Sequence, residues 1–521
     1  MMPGPTSLFS RIVAMADPER PAVISPAGRL TYGQLLRRAR LLAGPLAEST
    51  GPLLLYGHKE PALLAGFLAG LRCGRPYVPV DTSAPSARIV RILDLARPGI
   101  VIAAQALPPP LADDLAQRAI PVVALDPLAE AVERLALASQ PPERLSDRPD
   151  DPAYIMFTSG TTGDPKGVPI PYRGLAHFAA WLLESQQFTP GGETFLNQAP
   201  FNFDLSVMDL YGALLTGGTL CSISREEIAD PRRLFARLRD TPLTTWVSTP
   251  SFARFCLAEP TFDRTMLPAL RRFLFCGETL PPAVARELQR RFPAAAVWNT
   301  YGPTEATVAV TAVRLTPGML EADQPLPVGR TAPGMDVWIA DPAASLRRLP
   351  AGACGEIVIA GPQVALGYLS DTENGSMPGP FLALPAGGQA YRTGDLGHFD
   401  ASGLLYCQGR LDRQVKLHGY RLELEEIENH LRQIPGVADA AVLVVERDGR
   451  PDSLLALVVP AQQPATGALP DTGLALTQHV RARLAEKLPA YALPRRVQLL
   501  AQPPLTANGK LDRRALEALP R

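Results

Sequence analysis

The chain has few of the features that mark secreted, membrane-embedded or metal-binding proteins. It contains six cysteines among 521 residues, and none forms a C-x-x-C pair or stands at metal-ligand spacing with a histidine. Such cysteines are typical of reduced cytosolic proteins. The longest apolar run, near residues 62–71, is about half as long as a membrane span needs to be, and the N-terminus lacks the apolar core of a signal peptide. We therefore expect a cytoplasmic protein that is not inserted in a membrane.

The formal net charge of the chain is zero. Lys and Arg total 51, and Asp and Glu also total 51. The average charge therefore gives no electrostatic reason to expect nucleic acid as a partner. The length exceeds the size at which a single hydrophobic core stops growing, so we expect at least two domains.

The order of apolar runs predicts the fold class. Up to about residue 400, short β-branched or aromatic runs alternate with amphipathic stretches, as in an α/β protein whose mostly parallel sheets are flanked by helices. The clearest are strands at 122–125, 153–157 and 245–248 and a helix at 174–186. The C-terminal part predicts helices at 424–433 and 476–488 and strands at 440–445, 454–459 and 497–500. We predict a large multi-subdomain region at residues 1–411 and a small, mobile α+β domain at residues 412–521.

The segment Thr158–Gly167, TSGTTGDPKG, lies between a predicted strand and a predicted helix. Glycines let such a loop turn tightly, and its successive N–H groups form a nest that binds anions. Lys166 adds a point charge suited to phosphate. The other residues that we assign to this phosphate loop are Thr158, Ser159, Gly160, Thr161, Thr162 and Gly163. It is not a Walker A motif, because no G-K-[ST] stands at the required spacing; the alternative is a flexible surface turn.

This loop resembles the phosphate loop of the acyl-adenylate-forming (ANL) superfamily, which includes nonribosomal peptide adenylation domains, acyl-CoA synthetases and luciferases. Further segments match that family in the same order: LTYGQL (30–35), RPYVPVD (75–81), NTYGPTEATV (299–308), GEIVIAG (355–361), RTGDL (392–396), GRLDRQVKLHGYRLELEEIE (409–428) and LTANGKLDR (505–513). Several ordered matches are more specific than any one of them. The resemblance implies an AMP-forming ligase that activates a carboxylate with ATP and Mg²⁺.

The matching segments assign residues to the nucleotide. Tyr301 can stack on adenine, Asn299 can hydrogen-bond the adenine edge, and Gly277–Glu278 would line the other face. Asp395 would accept the ribose hydroxyls, with Arg410 nearby; alone, either could be a surface ion-pair residue. The remaining residues that we assign to ATP binding are Thr300, Gly302, Pro303, Cys407, Gln408 and Gly409.

Adenylation also needs cations, because a carboxylate attacks an anionic phosphate and charge accumulates there. Glu305 is a hard oxygen ligand suited to Mg²⁺, and Thr304 can reach the α-phosphate. Lys510 lies in TANGKLD, where Asn-Gly is a turn signature. By resemblance, this lysine contacts both the substrate carboxylate and the phosphate oxygens and, with Thr304 and Glu305, completes the catalytic set.

The substrate class is indicated by Asp204, within the apolar stretch FNFDLSVMDLY (201–211). An unpaired carboxylate is costly in such surroundings, so Asp204 needs a cationic partner. By resemblance, it binds the α-amino group of an amino-acid substrate. The alternatives are that Asp204 caps a nearby helix, or that Asp209 is the amine-binding acid.

The resemblance also assigns the residues around the substrate side chain. These are Leu205, Met208, Leu274, Cys276, Thr300, Val308 and Ala309, with a further wall near Val247–Ser248. They are small to medium and almost wholly apolar, which implies a small uncharged amino acid. The matching segments are most similar to the D-alanine-activating subfamily, in which the cysteine matching Cys276 crowds the substrate Cα and favours the D enantiomer. L-proline, L-alanine and other small L-amino acids remain open.

The resemblance implies that the acyl acceptor is the phosphopantetheine thiol of a separate carrier protein, since no phosphopantetheine attachment motif follows LTANGKLDRR. In the family the small domain rotates about the residue matching Asp412, which withdraws Lys510 and brings in the Lys416–Arg421 segment. Gly419 would form part of the thiol tunnel. The competing interpretations are an acyl-CoA synthetase that uses free coenzyme A and a catalytically silent nucleotide-binding module.

Overall fold

A computed structural model of the protein describes residues 7–125, 148–160, 164–321, 324–369, 379–385, 387–447, 450–461, 469–470, 473–500, 503–504 and 515–516. The chain divides into two compact units. The first unit comprises Met1–Thr82, Asp94–Met156 and Gly167–Leu411, and the second comprises Ser83–Leu93, Phe157–Lys166 and Asp412–Arg521. A unit boundary thus lies between Leu411 and Asp412, whereas the grouping of residues 83–93 and 157–166 with the C-terminal residues was not expected from sequence.

Up to residue 410 the described chain contains the following strands and helices. The strands are β1 (Pro21–Ser25), β2 (Gly28–Thr31), β3 (Leu53–Tyr56), β4 (Tyr77–Val80), β5 (Ile100–Ala103), β6 (Val122–Ala124), β7 (Pro152–Thr158), β8 (Lys166–Pro171), β9 (Thr194–Asn197), β10 (Thr219–Ser222), β11 (Thr245–Ser248), β12 (Arg272–Phe275), β13 (Ala296–Tyr301), β14 (Thr311–Arg314), β15 (Arg330–Thr331), β16 (Asp336–Asp341), β17 (Ala344–Arg348), β18 (Gly355–Ala360), β19 (Phe381–Ala383), β20 (Gln389–Phe399) and β21 (Leu405–Arg410). The helices are α1 (Leu8–Met15), α2 (Tyr32–Ala47), α3 (Ala62–Cys73), α4 (Ser86–Ala96), α5 (Pro109–Gln117), α6 (Tyr172–Gln186), α7 (Leu205–Thr216), α8 (Arg225–Ala229), α9 (Pro231–Arg239), α10 (Pro250–Leu257), α11 (Pro282–Arg291) and α12 (Pro317–Glu321), with a 3₁₀ turn at Thr304–Ala306.

Two sheets of the first unit confirm the predicted parallel α/β architecture. The larger has the order β15-β14-β13-β12-β11-β9-β10-β1-β2, and its strands from β13 to β1 are parallel. The other has the order β6-β5-β3-β4-β7-β8. Because side chains alternate along a strand, Phe195 belongs to one buried apolar cluster and its neighbour Leu196 to another. The larger sheet therefore has a core on each face.

A third sheet differs from the parallel pattern expected up to about residue 400. Its order is β17-β16-β18-β20-β19, with β21 paired to β20, and its neighbouring strands are antiparallel. Between Arg330 and Arg410 the described residues contain no helix. Parallel strands need crossover connections, usually helical, whereas antiparallel neighbours can be joined by short turns. The mostly parallel fold that we predicted therefore also includes one antiparallel sheet.

The second unit contains the predicted C-terminal elements. They are β22 (Gln414–Leu417), β23 (Tyr420–Glu423), α13 (Leu424–Arg432), β24 (Val437–Arg447), β25 (Arg450–Pro460), α14 (Gly473–Ala485), a 3₁₀ turn at Ala490–Ala492 and β26 (Arg496–Leu499). The strand order β24-β25-β26 combines an antiparallel and a parallel pair. The sequence did not predict the β22–β23 hairpin, whose turn places His418 and Gly419 at positive φ. Among the described helices, none has both the length and the apolarity needed to cross a bilayer.

Candidate active site

The predicted substrate residues of the first unit follow adjacent parallel strands. β9, β11, β12 and β13 are neighbours in that order, and each pair is parallel. In an open α/β sheet, ligands bind at the carboxyl ends of such strands. Asp204 lies in the segment after β9, and Cys276 directly follows β12. Thr300 and Tyr301 are the last residues of β13. One edge of the sheet therefore carries these predicted residues.

An apolar cluster brings the predicted side-chain pocket together. Leu205, Met208, Val247, Leu274, Cys276, Val308 and Ala309 all belong to the same group of contacting buried residues. The Cys276 Sγ donates a hydrogen bond to the Val308 carbonyl oxygen at 3.5 Å. The Thr300 hydroxyl instead donates to the Phe275 carbonyl oxygen at 2.8 Å. The walls assigned from sequence thus belong to one buried cluster, in which Cys276 contacts Val308, while their role in binding an amino acid stays a prediction.

Asp204 and Asp209 lie on one helix in different surroundings. Asp204 occupies the N-cap position of α7, but its side chain makes no capping hydrogen bond to that helix. Asp209 is fully buried, and its Oδ1 accepts a hydrogen bond from the Asn197 side chain at 2.9 Å. Burial raises the pKa of Asp209 well above its usual value, while Lys59 and the Asn197 hydrogen bond oppose this shift. Asp209 thus belongs to an internal network, and the assignment of Asp204 as the amine-binding acid stays a prediction.

Lys59 is part of that internal network and was not singled out from sequence. Its buried ammonium donates to the Asn197 side-chain oxygen at 2.5 Å and to the Ala199 carbonyl oxygen. It also lies 4.8 Å from the centre of the Phe201 ring. Burial lowers the pKa of Lys59 to about 7, with Asp209 foremost among the carboxylates that oppose the shift. Lys59 therefore holds the backbone segment between β9 and Asp204. Lys59 also lines a cleft of about 440 Å³.

The predicted nucleotide residues form a chain of hydrogen bonds at the end of β13. The Tyr301 hydroxyl donates to Asp395 Oδ2 at 2.7 Å, and Arg410 pairs with Asp395 Oδ1. Arg410 also donates to the Thr393 carbonyl oxygen at 3.1 Å. The Asn299 amide nitrogen donates to the Pro327 carbonyl oxygen at 2.8 Å, so this amide is oriented by the protein itself. Tyr301, Asp395 and Arg410 are thus a connected polar group.

Several glycines and loop residues of the nucleotide segment can also be placed. Gly277 has a φ of 91°, and a Cβ added there would meet only Thr249, at 3.7 Å. A ligand could therefore approach its backbone closely. The Glu278 carboxylate accepts a hydrogen bond from the Ser251 N–H at 2.9 Å. Along β21, Cys407 is half-buried and Gln408 and Gly409 are exposed, whereas Gly302, Pro303 and Thr304 are half-buried after β13.

Glu305 is the candidate magnesium ligand. Its carboxylate is fully buried, and Oε1 accepts a hydrogen bond from the Tyr368 hydroxyl at 2.6 Å. Within the described parts of the chain, no group of three or more His, Cys, Asp or Glu residues could hold a metal ion. Mg²⁺ suits this arrangement, because it commonly binds one or two carboxylates together with substrate phosphates and water.

The phosphate loop is described in part. The Ser159 hydroxyl donates to the Arg421 carbonyl oxygen of β23 at 2.9 Å, a contact within the second unit. The Thr158 hydroxyl is buried and has no hydrogen-bond partner among the residues that the structure describes, as expected of a donor that awaits a ligand. A Cβ at Gly160 would lie 2.1 Å from the Asp164 carbonyl oxygen, so this turn requires glycine. Lys166 is half-buried at the start of β8. Thr161, Thr162 and Gly163 lie outside the described residues.

Comparison with protein families shows to which family the chain belongs. Residues 11–369 match the family described as AMP-binding enzyme, and residues 426–510 match the AMP-binding enzyme C-terminal domain. The chain belongs to the AMP-binding enzymes. For this ligase family, membership implies the use of ATP.

Individual relatives of this AMP-binding enzyme cover nearly its whole length. The chain is 41% identical over 514 residues to a D-alanine–D-alanyl carrier protein ligase of Bacillus velezensis, covering 96% of this chain and 97% of the relative. A ligase of the same name from Bacillus thuringiensis is 40% identical over 507 residues, with the same coverage. Among solved structures, the amide bond synthetase of Marinactinospora thermotolerans superposes with a TM-score of 0.81 at 26% identity, covering 98% of this chain and 99% of that chain. A nonribosomal peptide synthetase protein containing adenylation and PCP domains gives 0.78 at 29% identity, covering 98% and 84%.

The remaining predicted residues of this AMP-binding enzyme belong to the C-terminal part of the chain. Asp412 is the first residue after the unit boundary, and its carboxylate accepts a hydrogen bond from the Gln414 N–H at 3.2 Å. Lys416 is half-buried on β22, and Gly419 has a φ of 87° in the hairpin turn. Only glycine adopts that conformation readily. Lys510 lies outside the described residues.

Proposed function

We propose that this AMP-binding enzyme activates D-alanine with ATP and transfers it to the phosphopantetheine thiol of a separate carrier protein. The observation that carries the proposal is the contact of Cys276 with the Val308 carbonyl oxygen inside a buried apolar cluster, which also contains Leu205 and Met208 of the helix that begins after Asp204. The names of the 40–41% identical relatives support D-alanine and a carrier protein.

In the first half-reaction, an oxygen of the amino-acid carboxylate attacks the α-phosphorus of ATP, and pyrophosphate leaves. The ammonium group of the substrate would pair with Asp204, and the apolar walls would exclude larger side chains. Lys510 and Thr304 would contact the oxygens on which negative charge accumulates. Bound Mg²⁺, held by Glu305 and the phosphates, would supply further charge neutralisation. The buried, unpartnered Thr158 hydroxyl supports phosphate binding in the loop.

In the second half-reaction, the carrier thiol attacks the acyl carbon of the aminoacyl-adenylate, and AMP leaves with the bonding electron pair. The hydrogen bond from Ser159 to Arg421 supports a state in which the β22–β23 hairpin borders the phosphate loop. We propose that Asp412 is the hinge between the two states. Lys416 and Gly419 would then border the path of the thiol.

The test is amino-acid-dependent ATP–pyrophosphate exchange with D-alanine, L-alanine, L-proline, glycine and L-serine. D-alanine should give the highest kcat/KM. A higher value for L-proline or L-alanine would replace D-alanine by that substrate, and no exchange with any amino acid would refute amino-acid activation. Holo carrier protein and coenzyme A are then compared as acceptors of the activated substrate. Preference for coenzyme A would favour an acyl-CoA synthetase instead.

A further inference from the structure

One wall of the amino-acid pocket is a turn in a conformation that its residues rarely adopt. The turn joins β13 to β14 and contains Val308 and Ala309, two of the assigned pocket residues. Thr307 and Val308 have φ angles of 55° and 69°. This is the left-handed region, in which a β-branched residue is an outlier. Such a conformation persists only where the surroundings hold it, and it is often found at functional sites.

Gln363, in the loop after β18, holds this turn through its side-chain amide. Its Nε2 donates toward the Ala306 and Thr307 carbonyl oxygens, each at 3.2 Å, and toward that of Ala309 at 2.8 Å. Gln363 is fully buried. One amide nitrogen thus binds three carbonyl groups of a four-residue turn, which leaves the turn little freedom to open.

Two further hydrogen bonds fix Gln363 itself. His177 Nδ1, on α6, donates to Gln363 Oε1 at 2.8 Å. The Thr307 hydroxyl donates to the Gln363 carbonyl oxygen at 2.7 Å. Because Oε1 accepts from His177, Nε2 faces the turn, and rotation of the amide would break bonds on both sides. His177 and Thr307 therefore fix the orientation of Gln363, and Gln363 in turn fixes the conformation of the turn.

The other sides of the turn are also closed. A Cβ at Gly302 would lie 2.6 Å from Ala309 Cα, so the preceding strand end packs directly against the turn. Cys276 Sγ donates to the Val308 carbonyl oxygen at 3.5 Å. We infer that Gln363 is a positioning residue that sets the width of the amino-acid pocket by holding Val308 and Ala309 toward Cys276. The inference rests on the proposed function and adds that Gln363, which does not itself touch the substrate, determines how large a substrate side chain the pocket accepts.

The experiment measures kcat/KM for glycine, alanine, 2-aminobutyrate and valine in pyrophosphate exchange, with the preferred enantiomer where one exists. A hydrophobic pocket discriminates one methylene by roughly 10- to 200-fold. Gln363→Leu removes the amide but retains most of the side-chain volume. We expect the ratio of alanine to 2-aminobutyrate to fall by about tenfold in this variant, while the KM for ATP changes by less than about twofold.

A second variant keeps the inference testable where Gln363→Leu does not fold. His177→Ala, at a half-buried position, removes the bond to Gln363 Oε1 and also the bond from His177 Nε2 to the Pro333 carbonyl oxygen, and we expect the same ratio to fall by about threefold. Gln186→Met is the matched control, because Gln186 is a buried glutamine of α6 whose amide contacts Ser185 of its own helix. An equal loss for all four amino acids, or an unchanged ratio in the folded variants, would overturn the inference. No exchange by the unsubstituted enzyme would instead overturn the proposed function.

Discussion

The predicted amino-acid pocket and the predicted nucleotide residues of the first unit are built differently, although Cys276 and Tyr301 lie at the ends of the neighbouring strands β12 and β13. The pocket is a buried apolar cluster in which Cys276 touches the Val308 backbone. The nucleotide residues instead form a polar chain, in which Asp395 accepts hydrogen bonds from Tyr301 and Arg410. If the predicted roles are correct, we expect shape to select the amino acid, whereas hydrogen bonds and charge bind the nucleotide.

This difference means that substitutions in the two regions should have separable effects. A change in the pocket should alter the KM for the amino acid or the choice among amino acids. A change in the polar chain should alter the KM for ATP. A residue that contacts both substrates in the transition state should lower kcat without such a separation.

Lys510→Ala should give the largest effect, because this lysine is assigned to both the carboxylate and the phosphate oxygens. Removing one preorganised donor of this kind typically lowers kcat by roughly 10²- to 10³-fold. We expect pyrophosphate exchange to fall by at least that factor, while thioester formation from pre-made aminoacyl-adenylate is largely retained. Lys487→Ala is the control, since Lys487 is an exposed lysine of the same unit whose ammonium donates a hydrogen bond to the Gln433 side chain. Equal loss of both half-reactions would contradict the two-state hinge.

Asp204→Asn should affect the amino acid alone. Removing one partner of a buried charge pair costs enough to lower kcat/KM for the amino acid by about 100-fold. The KM for ATP should stay unchanged, because Asp395 and Arg410, not Asp204, are the residues assigned to the nucleotide. Steady-state kinetics with each substrate varied in turn measures the two effects.

Asp209→Asn, on the same helix, is the comparison variant. Asp209 is fully buried and bonded to Asn197, so its loss should lower stability by about 1–3 kcal/mol with little change in the amino-acid KM. Thermal unfolding measures the first effect and pyrophosphate exchange the second. A large rise in the amino-acid KM for Asp209→Asn, with normal values for Asp204→Asn, would exchange the roles of the two acids.

Asp395→Asn should affect the nucleotide alone. It removes the negative charge that pairs with Arg410 and would bind the ribose hydroxyls. We expect the KM for ATP to rise by about tenfold, with the amino-acid KM unchanged. Asp336→Asn is the matched control, because Asp336 pairs with Arg348 on the exposed surface of the same sheet. If Asp395→Asn changed the amino-acid KM instead, the separation between the two regions would fail.

The sequence predicted local elements and motif residues better than the contacts that position them. The strand expected at 153–157 is found at Pro152–Thr158, because its apolar residues are contiguous along the chain. Lys59 and Gln363 were missed, since their partners lie 138 and 54 residues away at Asn197 and Ala309. A lone lysine or glutamine carries no local signal of such pairing. Only the packing of separate strands brings these groups together.

Cys276→Ala should give the smallest effect and the sharpest test of shape selection. The sulfur packs against Val308 in the pocket, so its loss opens space beside the substrate Cα. We expect the ratio of kcat/KM for D-alanine to that for L-alanine to fall by about threefold, because a single small group discriminates only modestly. Cys256→Ala is the matched control, since Cys256 is equally buried but belongs to the apolar cluster on the other face of the sheet. We expect both variants to lose a similar amount of stability, but only Cys276→Ala to change the ratio of kcat/KM for D-alanine to that for L-alanine. That result would show that Cys276 selects the enantiomer in addition to filling space in the core. An unchanged ratio would assign the preference for D-alanine to other walls of the pocket, such as the turn held by Gln363.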